Sequence, residues 1–367
     1  MIVLLICIFL LCFYKIKFNT GDNFDRGYLN SQNTLGMKGL FTLLIFLSHF
    51  ATYVSMKNPL DLPYAAFKSY LSQAIVAPFM FFFGYGIFTS IRTKKHYVEK
   101  MPGNRIWHTL FVFHVALCLF FLTQLVKGRT FSVAYYLQTL VSWQSLGNSD
   151  WYVFSILSLY LLTYISFAVF GRKNHDAGLI ANAALLLVFT LFVKLYKSGY
   201  WYNFYFAYWF GMLYARWKDQ IDECVMQRSG TWVMSILTVA FSFYILHVYR
   251  NNLIAYEACA VLFALFVVLL MMKVTLGNPL LIYCGDHLFS LFILQRIPMI
   301  LLQKTIVAKN DYVYFAVCLV LTFILSAVFD KFVPVLWKKF IGDSITKAYA
   351  KRFDENREIQ IEPEKQK

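Results

Sequence analysis

Charged residues are scarce in this chain. They make up 14 % of its 367 residues, whereas hydrophobic residues make up 59 %. A soluble domain carries about a quarter charged residues and about half apolar ones. The composition therefore excludes an ordinary cytosolic enzyme.

Several signatures of familiar chemistry are also missing. The seven cysteines are scattered and form no CxxC pair, which argues against a disulfide framework and against a zinc site. No GxSxG, HExxH, P-loop or GxGxxG pattern stands in a credible context. Serine hydrolase, zinc protease and nucleoside-triphosphatase functions are therefore disfavoured, and we expect no bound metal.

Long apolar runs and aromatic residues are abundant instead. Aromatics make up 19 % of the chain, and a hydrocarbon core of about 30 Å needs roughly 20 helical residues. Eleven apolar runs are candidates for spans: 1–18, 39–56, 71–91, 107–126, 150–170, 178–196, 200–217, 231–249, 253–273, 279–303 and 312–336. The sequence predicts an all-α, polytopic membrane helix bundle with about ten core transmembrane helices plus one N-terminal anchor helix.

The same pattern predicts the domain organisation. Residues 1–32 are expected to form the anchor helix and a loop, 33–336 the transmembrane domain, and 337–367 a polar cytoplasmic tail. The tail is too short for a second domain.

The basic residues are distributed unevenly between alternate loops. With the N-terminus outside, 23 of the 34 Lys and Arg residues fall on the cytoplasmic side and 9 fall outside. Cytoplasmic loops of membrane proteins carry an excess of Lys and Arg. This predicts an outside N-terminus and a cytoplasmic C-terminus, and it accounts for the net charge of +15 without nucleic acid.

Lys38 and His49 are the most informative pair. Eleven residues separate them, which is close to three helical turns and about 16 Å of rise, so both side chains share one helix face. We expect Lys38 at the cytoplasmic edge and His49 near the middle of the membrane, where a titratable residue indicates function. On spacing alone, an equal alternative is that Lys38 only snorkels and His49 bonds a neighbouring carbonyl.

Acyl transfer is a chemistry that suits this pair. A base must take the proton of an attacking hydroxyl, and histidine is well matched to that task at neutral pH. A coenzyme A donor carries phosphates that basic residues at the cytoplasmic face would bind. Lys38 and the basic loop 92–105 offer such residues.

Five segments in order carry a resemblance to a known family. They are Lys38-x10-His49, FFFGYGIFTS (81–90), Asp150-Trp151-Tyr152, FAYWFGMLYARW (206–217) and GDHLFSLFILQRIPMIL (285–301). Together they resemble the membrane acyltransferase-three family, the integral-membrane O-acyltransferases of O-antigens, capsules and related glycans. Some positions depart from the family pattern, and Gln295 stands where its late helix often carries histidine.

The resemblance implies the reaction and the site. The chain is expected to transfer an acyl group, most plausibly acetyl, from cytoplasmic acetyl-CoA to a hydroxyl of a cell-surface glycan or its lipid-linked precursor, in a bacterial plasma membrane. Acetyl-CoA would be a substrate, and no cofactor would be permanently bound. His49 would be the catalytic base, and Lys38, Arg92 and Lys95 would bind the donor. Second-rank candidates for donor or acceptor contacts are Trp151, Arg296, His287 and Asp286.

A transporter or flippase for a lipid-linked glycan is the competing hypothesis. In that case His49 and Arg296 would line a pathway through the membrane. Transporters commonly contain internal repeats with broken helices in matching positions. We find no such repeat between residues 33–180 and 181–336, which favours the enzyme.

Overall fold

The computed structural model describes residues 1–56, 58–171 and 174–342, and over these ranges the chain is mostly helical. The helices are α1 (Ile2–Phe13), α2 (Ser31–Phe50), α3 (Leu62–Leu71), α4 (Ala77–Thr93), α5 (Tyr97–Met101), α6 (His108–Val126), α7 (Val133–Leu140), α8 (Asp150–Val169), α9 (His175–Tyr196), α10 (Tyr205–Arg216), α11 (Lys218–Val225), α12 (Ser229–His247), α13 (Leu253–Met271), α14 (Pro279–Asp286), α15 (Leu288–Leu294), α16 (Arg296–Leu302) and α17 (Asp311–Trp337). Strands β1 (Ile16–Phe18) and β2 (Val274–Leu276) pair antiparallel. The fold is the predicted all-α membrane helix bundle.

The described helices that could cross a membrane are fewer than the eleven predicted runs. Seven are long and apolar enough, and the number is eight if α14 and the bent segment after it count as one span. Helices α1 and α10 have 12 residues each, which gives about 18 Å of rise against a core of about 30 Å. Helix α2 has 20 residues, but it is too polar to count among the helices that could cross a membrane.

Part of the predicted organisation lies outside the described residues. This applies to most of the predicted tail, because the description stops at residue 342, and to three basic residues used in the charge sorting, Lys57, Arg172 and Lys173. The chain turns into β1 soon after α1, so the apolar N-terminal run is divided between a short helix and a strand.

Glycines allow the central helices to pack with their backbones almost touching. Helix α2 packs on α14, and a Cβ atom at Gly39 would collide with the carbonyl oxygen of Leu281. Helix α4 packs on α10 in the same way, because a Cβ at Gly84 would collide with the carbonyl oxygen of Tyr208. Small residues allow the backbones of neighbouring membrane helices to approach each other this closely. The two glycine contacts thereby fix α2 and α4 within the bundle.

The loops between helices gather at two opposite ends of the bundle. At one, which we call the strand end, β1 and β2 pair, Arg92 Nη1 donates to the carbonyl of Ala215 at 3.1 Å, and the backbone N–H of Ser229 donates to Asp22 at 2.6 Å. At the other, which we call the cavity end, Lys127 Nζ donates to the carbonyl of Leu301 at 2.9 Å. These contacts join loops that the charge sorting assigns to the same side.

Candidate active site

A cavity of about 440 Å³ opens among the loops of the cavity end. Its walls include the end of α2, the region before α4, the start of α8 and the junction between α15 and α16. The polar and aromatic side chains that matter most for its chemistry are those of His49, Lys68, Asp150, Trp151 and Arg296. The cavity therefore unites the predicted base with two second-rank candidates, Trp151 and Arg296.

His49 lies in the last turn of α2. The helix begins at Ser31, eight residues before the predicted span, and ends at Phe50, so His49 lies near the cavity end of α2. Its mid-membrane depth stays a prediction. Its Nδ1 atom is buried and has no hydrogen-bond partner among the described residues. The Phe292 ring lies 5.8 Å from the imidazole, centroid to centroid. The imidazole thus has an apolar flank and one nitrogen free to act on a bound molecule.

Gln295 is the polar side chain that can orient this imidazole. It lies within side-chain hydrogen-bonding reach of His49. Its amide nitrogen donates to the carbonyl of Phe292 at 2.9 Å, which leaves its oxygen as the end that can accept from an imidazole N–H. A histidine nitrogen that donates to such an oxygen leaves the other nitrogen as the base. Gln295 is therefore the candidate residue for setting the tautomer of His49.

Arg296 begins α16 and lies beside the same cavity. Its guanidinium hydrogen-bonds to the Tyr53 hydroxyl. The Nε–H is buried and has no partner in the part of the chain that the structure describes. A buried guanidinium with a free donor can stabilise a developing oxyanion or bind an anionic group.

Lys68, on α3, adds a second cation to this wall. Its Nζ donates to the carbonyl of Ser48 at 3.1 Å. Burial lowers the pKa of the Lys68 ammonium, and the Arg296 charge lowers the same pKa further. Lys68 and Arg296 thus place two cations beside the cavity that His49 also lines.

The predicted donor-binding residues lie at the strand end, away from the cavity. Lys38 is partly buried, with its Nζ 5.7 Å from the centre of the Phe82 ring on α4. Arg92, in the last turn of α4, and Lys95, in the turn after it, are both exposed. The structure therefore groups these three residues at one end of α2 and α4 and His49 at the other end of α2.

The neighbours Asp286 and His287 do not act as a pair. Asp286 is exposed, whereas His287 Nδ1 lies 2.5 Å from Asp330 Oδ2 on α17. Ser290 Oγ donates to the same oxygen at 2.7 Å. His287 lies where the chain bends by 76° between α14 and the following helical segment, and it does not line the cavity. This network joins the bent segment to α17.

Three residues of the site were not among the sequence candidates. Lys68 had been assigned only to an outer loop, Gln295 had been noted only as a departure from a family pattern, and Asp150 had served only as part of a motif. For two of them, Gln295 and Asp150, the sequence contains a signal, which is a polar residue in or directly before an apolar run. Gln295 next to Arg296 interrupts an otherwise apolar run, and Asn148, Ser149 and Asp150 are three polar residues directly before a span.

Comparison with known proteins assigns the chain to a family. A family model described as an acyltransferase domain matches residues 28–331. A search of curated proteins and a search of solved structures found no match. The matched region contains α2, all residues that line the cavity, and the predicted donor-binding residues Lys38, Arg92 and Lys95. The chain belongs to the membrane acyltransferase-three family.

Proposed function

We propose that the protein is an O-acyltransferase that moves an acyl group, most plausibly acetyl, from acyl-CoA to a hydroxyl of a surface glycan or its lipid-linked precursor. The observation that carries the proposal is the unpartnered Nδ1 of His49 in a cavity that also holds Arg296. A base and a cation beside one cavity are the two groups that attack on a thioester requires.

The reaction follows from these groups. His49 takes the proton of the acceptor hydroxyl as its oxygen attacks the thioester carbonyl carbon. A C–O bond forms, the C–S bond breaks, and the proton passes from His49 to the departing thiolate. Arg296 lies beside the cavity as a donor for the negative charge that develops on the carbonyl oxygen. The products are an ester and free coenzyme A.

The separation of the two clusters suits the shape of the donor. Lys38 and His49 are about 16 Å apart along α2, from the rise of eleven residues. Coenzyme A carries its phosphates at one end of a long pantetheine arm and its acyl group at the other. Lys38, Arg92 and Lys95 would bind the phosphates at the cytoplasmic face while the acyl group reaches His49. In this orientation the protein lies in a bacterial plasma membrane with its strand end facing the cytoplasm. The distribution of basic residues favours that orientation.

Mass spectrometry of surface glycans tests the proposed function. Cells with the intact gene should carry acylated glycans, and cells without it should lack that modification. Re-expression of the intact gene should restore the modification. Glycans that reach the surface in reduced amount with unchanged acylation would instead support the flippase.

Substitutions at the strand end separate donor binding from chemistry. Contacts to the phosphates act before the reaction, so Lys38→Gln and Arg92→Gln should raise KM for the donor with little change in kcat. A charge-assisted contact contributes about 1.5 to 3 kcal/mol, so each variant should weaken donor binding by roughly one to two decades. Lys38→Arg should retain most of the affinity, because it keeps the charge.

Binding of a coenzyme A analogue to the purified protein in detergent provides the measurement. Lys218→Gln is a matched control, since Lys218 lies at the same end but pairs with Asp222. Equal affinity in wild type, Lys38→Gln and Arg92→Gln would show that these residues only determine orientation.

A further inference from the structure

One wall of the cavity is formed where the loop after α7 meets the first residues of α8. We call Asn148, Ser149, Asp150 and Trp151 the polar corner. The preceding turn is held in place because the Tyr135 hydroxyl donates to the carbonyl of Ser145 at 2.7 Å and Gln124 donates to the carbonyl of Leu146. Such a loop can present side chains in a fixed arrangement before anything binds.

The turn also depends on a glycine. Gly147 has a φ of +98°, a backbone angle that residues other than glycine rarely adopt. A Cβ there would lie 2.8 Å from Ile300 Cδ1. The backbone that precedes the polar corner is therefore held against α16.

The side chain of Asn148 is oriented by this loop. Its Oδ1 accepts from the backbone N–H of Leu146 at 3.0 Å and from Ser145 Oγ at 3.1 Å. Its amide nitrogen, Nδ2, is buried and has no protein partner among the described residues. Asn148 is 4 % exposed and lines the cavity. It therefore contributes a free N–H donor at the cavity wall.

Asp150 contributes the complementary acceptor. It is 4 % exposed and lines the same cavity. Its carboxylate takes hydrogen bonds from backbone N–H groups at the start of α8 and from the Ser145 side chain, but its Oδ2 atom is buried without a protein partner in the described ranges. A buried carboxylate oxygen that lacks a partner is energetically unfavourable, so a ligand that donates a hydrogen bond to it gains affinity.

We propose that the polar corner is the acceptor subsite, where Asp150 Oδ2 and Asn148 Nδ2 bind neighbouring hydroxyls of a neutral sugar ring and Trp151 packs against that ring. This inference rests on the proposed function and assigns its acceptor site. A sugar hydroxyl donates one hydrogen bond and accepts others, so an acceptor and a donor two residues apart match a pair of hydroxyls. The ring bound there presents a further hydroxyl to His49.

Other occupants fit the polar corner less well. An anionic group would be repelled by the Asp150 carboxylate and would be drawn instead to Lys68 and Arg296. No group of three or more metal-ligating side chains occurs in the described parts of the chain, and Asp150 is the one carboxylate of this wall. Lys197 lies near enough for its charge to act on Asp150, but the hydrogen bond that its Nζ makes runs to the carbonyl of Trp143 at 2.6 Å.

Ligand-observed NMR on the purified, full-length protein in nanodiscs tests the subsite. The probes are methyl β-glucoside, methyl β-galactoside and methyl α-mannoside. At least one should bind wild type, and Asp150→Asn should weaken that binding about tenfold, because a charge-assisted hydrogen bond becomes a neutral one. Asn148→Ala should weaken it by a similar factor. Asp311→Asn is the matched control, since Asp311 is an exposed carboxylate at the start of α17, and it should bind as wild type does.

Asp150→Asn keeps the size of the side chain and its bonds to the start of α8, so it should fold. Trp151→Phe is a second variant that should lower glycoside affinity without removing a polar group. Absence of binding by all three glycosides to wild type, or equal affinity in wild type and Asp150→Asn, would overturn the subsite.

His49→Ala separates this inference from the proposed function. Glycoside binding should persist in His49→Ala, because binding needs no base. If glycosides bind as predicted but wild type transfers no acyl group from acetyl-CoA, the proposed function fails and the subsite stands. If transfer depends on His49 but Asp150→Asn has the acceptor KM of wild type, the subsite fails and the function stands.

Discussion

Replacing His49 with alanine is expected to lower the rate of glycan acylation by about 10²- to 10⁴-fold, the range typical for loss of a positioned general base. The loss should appear in kcat, because His49 acts on the attacking hydroxyl and not on the phosphates bound at the strand end. Donor affinity should stay close to that of wild type. The measurement is acyl transfer by purified protein, with mass spectrometry of surface glycans as the cellular readout.

His175→Ala is a suitable control for that experiment. His175 is exposed at the start of α9 and does not line the cavity. Both variants should insert at normal abundance, since Gln295 is the one side chain within hydrogen-bonding reach of the His49 imidazole among the described residues. Acylation at the wild-type level in His49→Ala would refute the assignment of His49 as the base.

Replacing Gly84 with alanine is expected to destabilise the protein strongly. The new Cβ would collide with the carbonyl oxygen of Tyr208, so α4 and α10 would have to move apart along their whole contact. Overpacking in a well-packed core costs about 1 to 3 kcal/mol and occasionally more. We expect the upper part of this range, because a backbone oxygen cannot move aside as a flexible side chain can.

Gly86 offers the matched control, two residues later on the same helix. Among the described residues no other helix or side chain comes within 4 Å of a Cβ at Gly86, so Gly86→Ala should leave stability unchanged or raise it by up to about 1 kcal/mol through helix propensity. Thermal unfolding in detergent, followed by the loss of monodisperse protein, measures both variants. Equal midpoints for Gly84→Ala and Gly86→Ala would contradict the close contact of α4 and α10.

Sequence patterns predicted the bundle better than they predicted its spans. Apolar length identified the ends of α8, α9 and α13 to within three residues, because lipid-facing helices must be apolar over the whole membrane thickness. The same measure placed the second span at residues 39–56, whereas α2 covers Ser31–Phe50. A helix buried among other helices can start with polar residues, so hydropathy does not mark its ends.

The difference between the predicted and the observed ends of α2 changes the position of His49 within the helix. The spacing of Lys38 and His49 correctly predicted two residues on the same helix, because eleven residues make close to three turns. Its place within the helix followed from the assumed ends of the span, and His49 lies in the last turn because α2 begins and ends earlier than predicted.

The sequence by itself determined that this protein is a helical membrane protein, which loops share a side, and that Lys38 and His49 lie on one helix, since composition and helical period are local properties. Only the tertiary structure decided that Gln295, Arg296, Lys68 and Asp150 surround His49 and that Arg92 and Lys95 do not. Residues 49, 150 and 296 are about a hundred or more positions apart, and contacts over such distances depend on how helices pack. That packing is governed by close glycine contacts and by bends, neither of which hydropathy or spacing reveals.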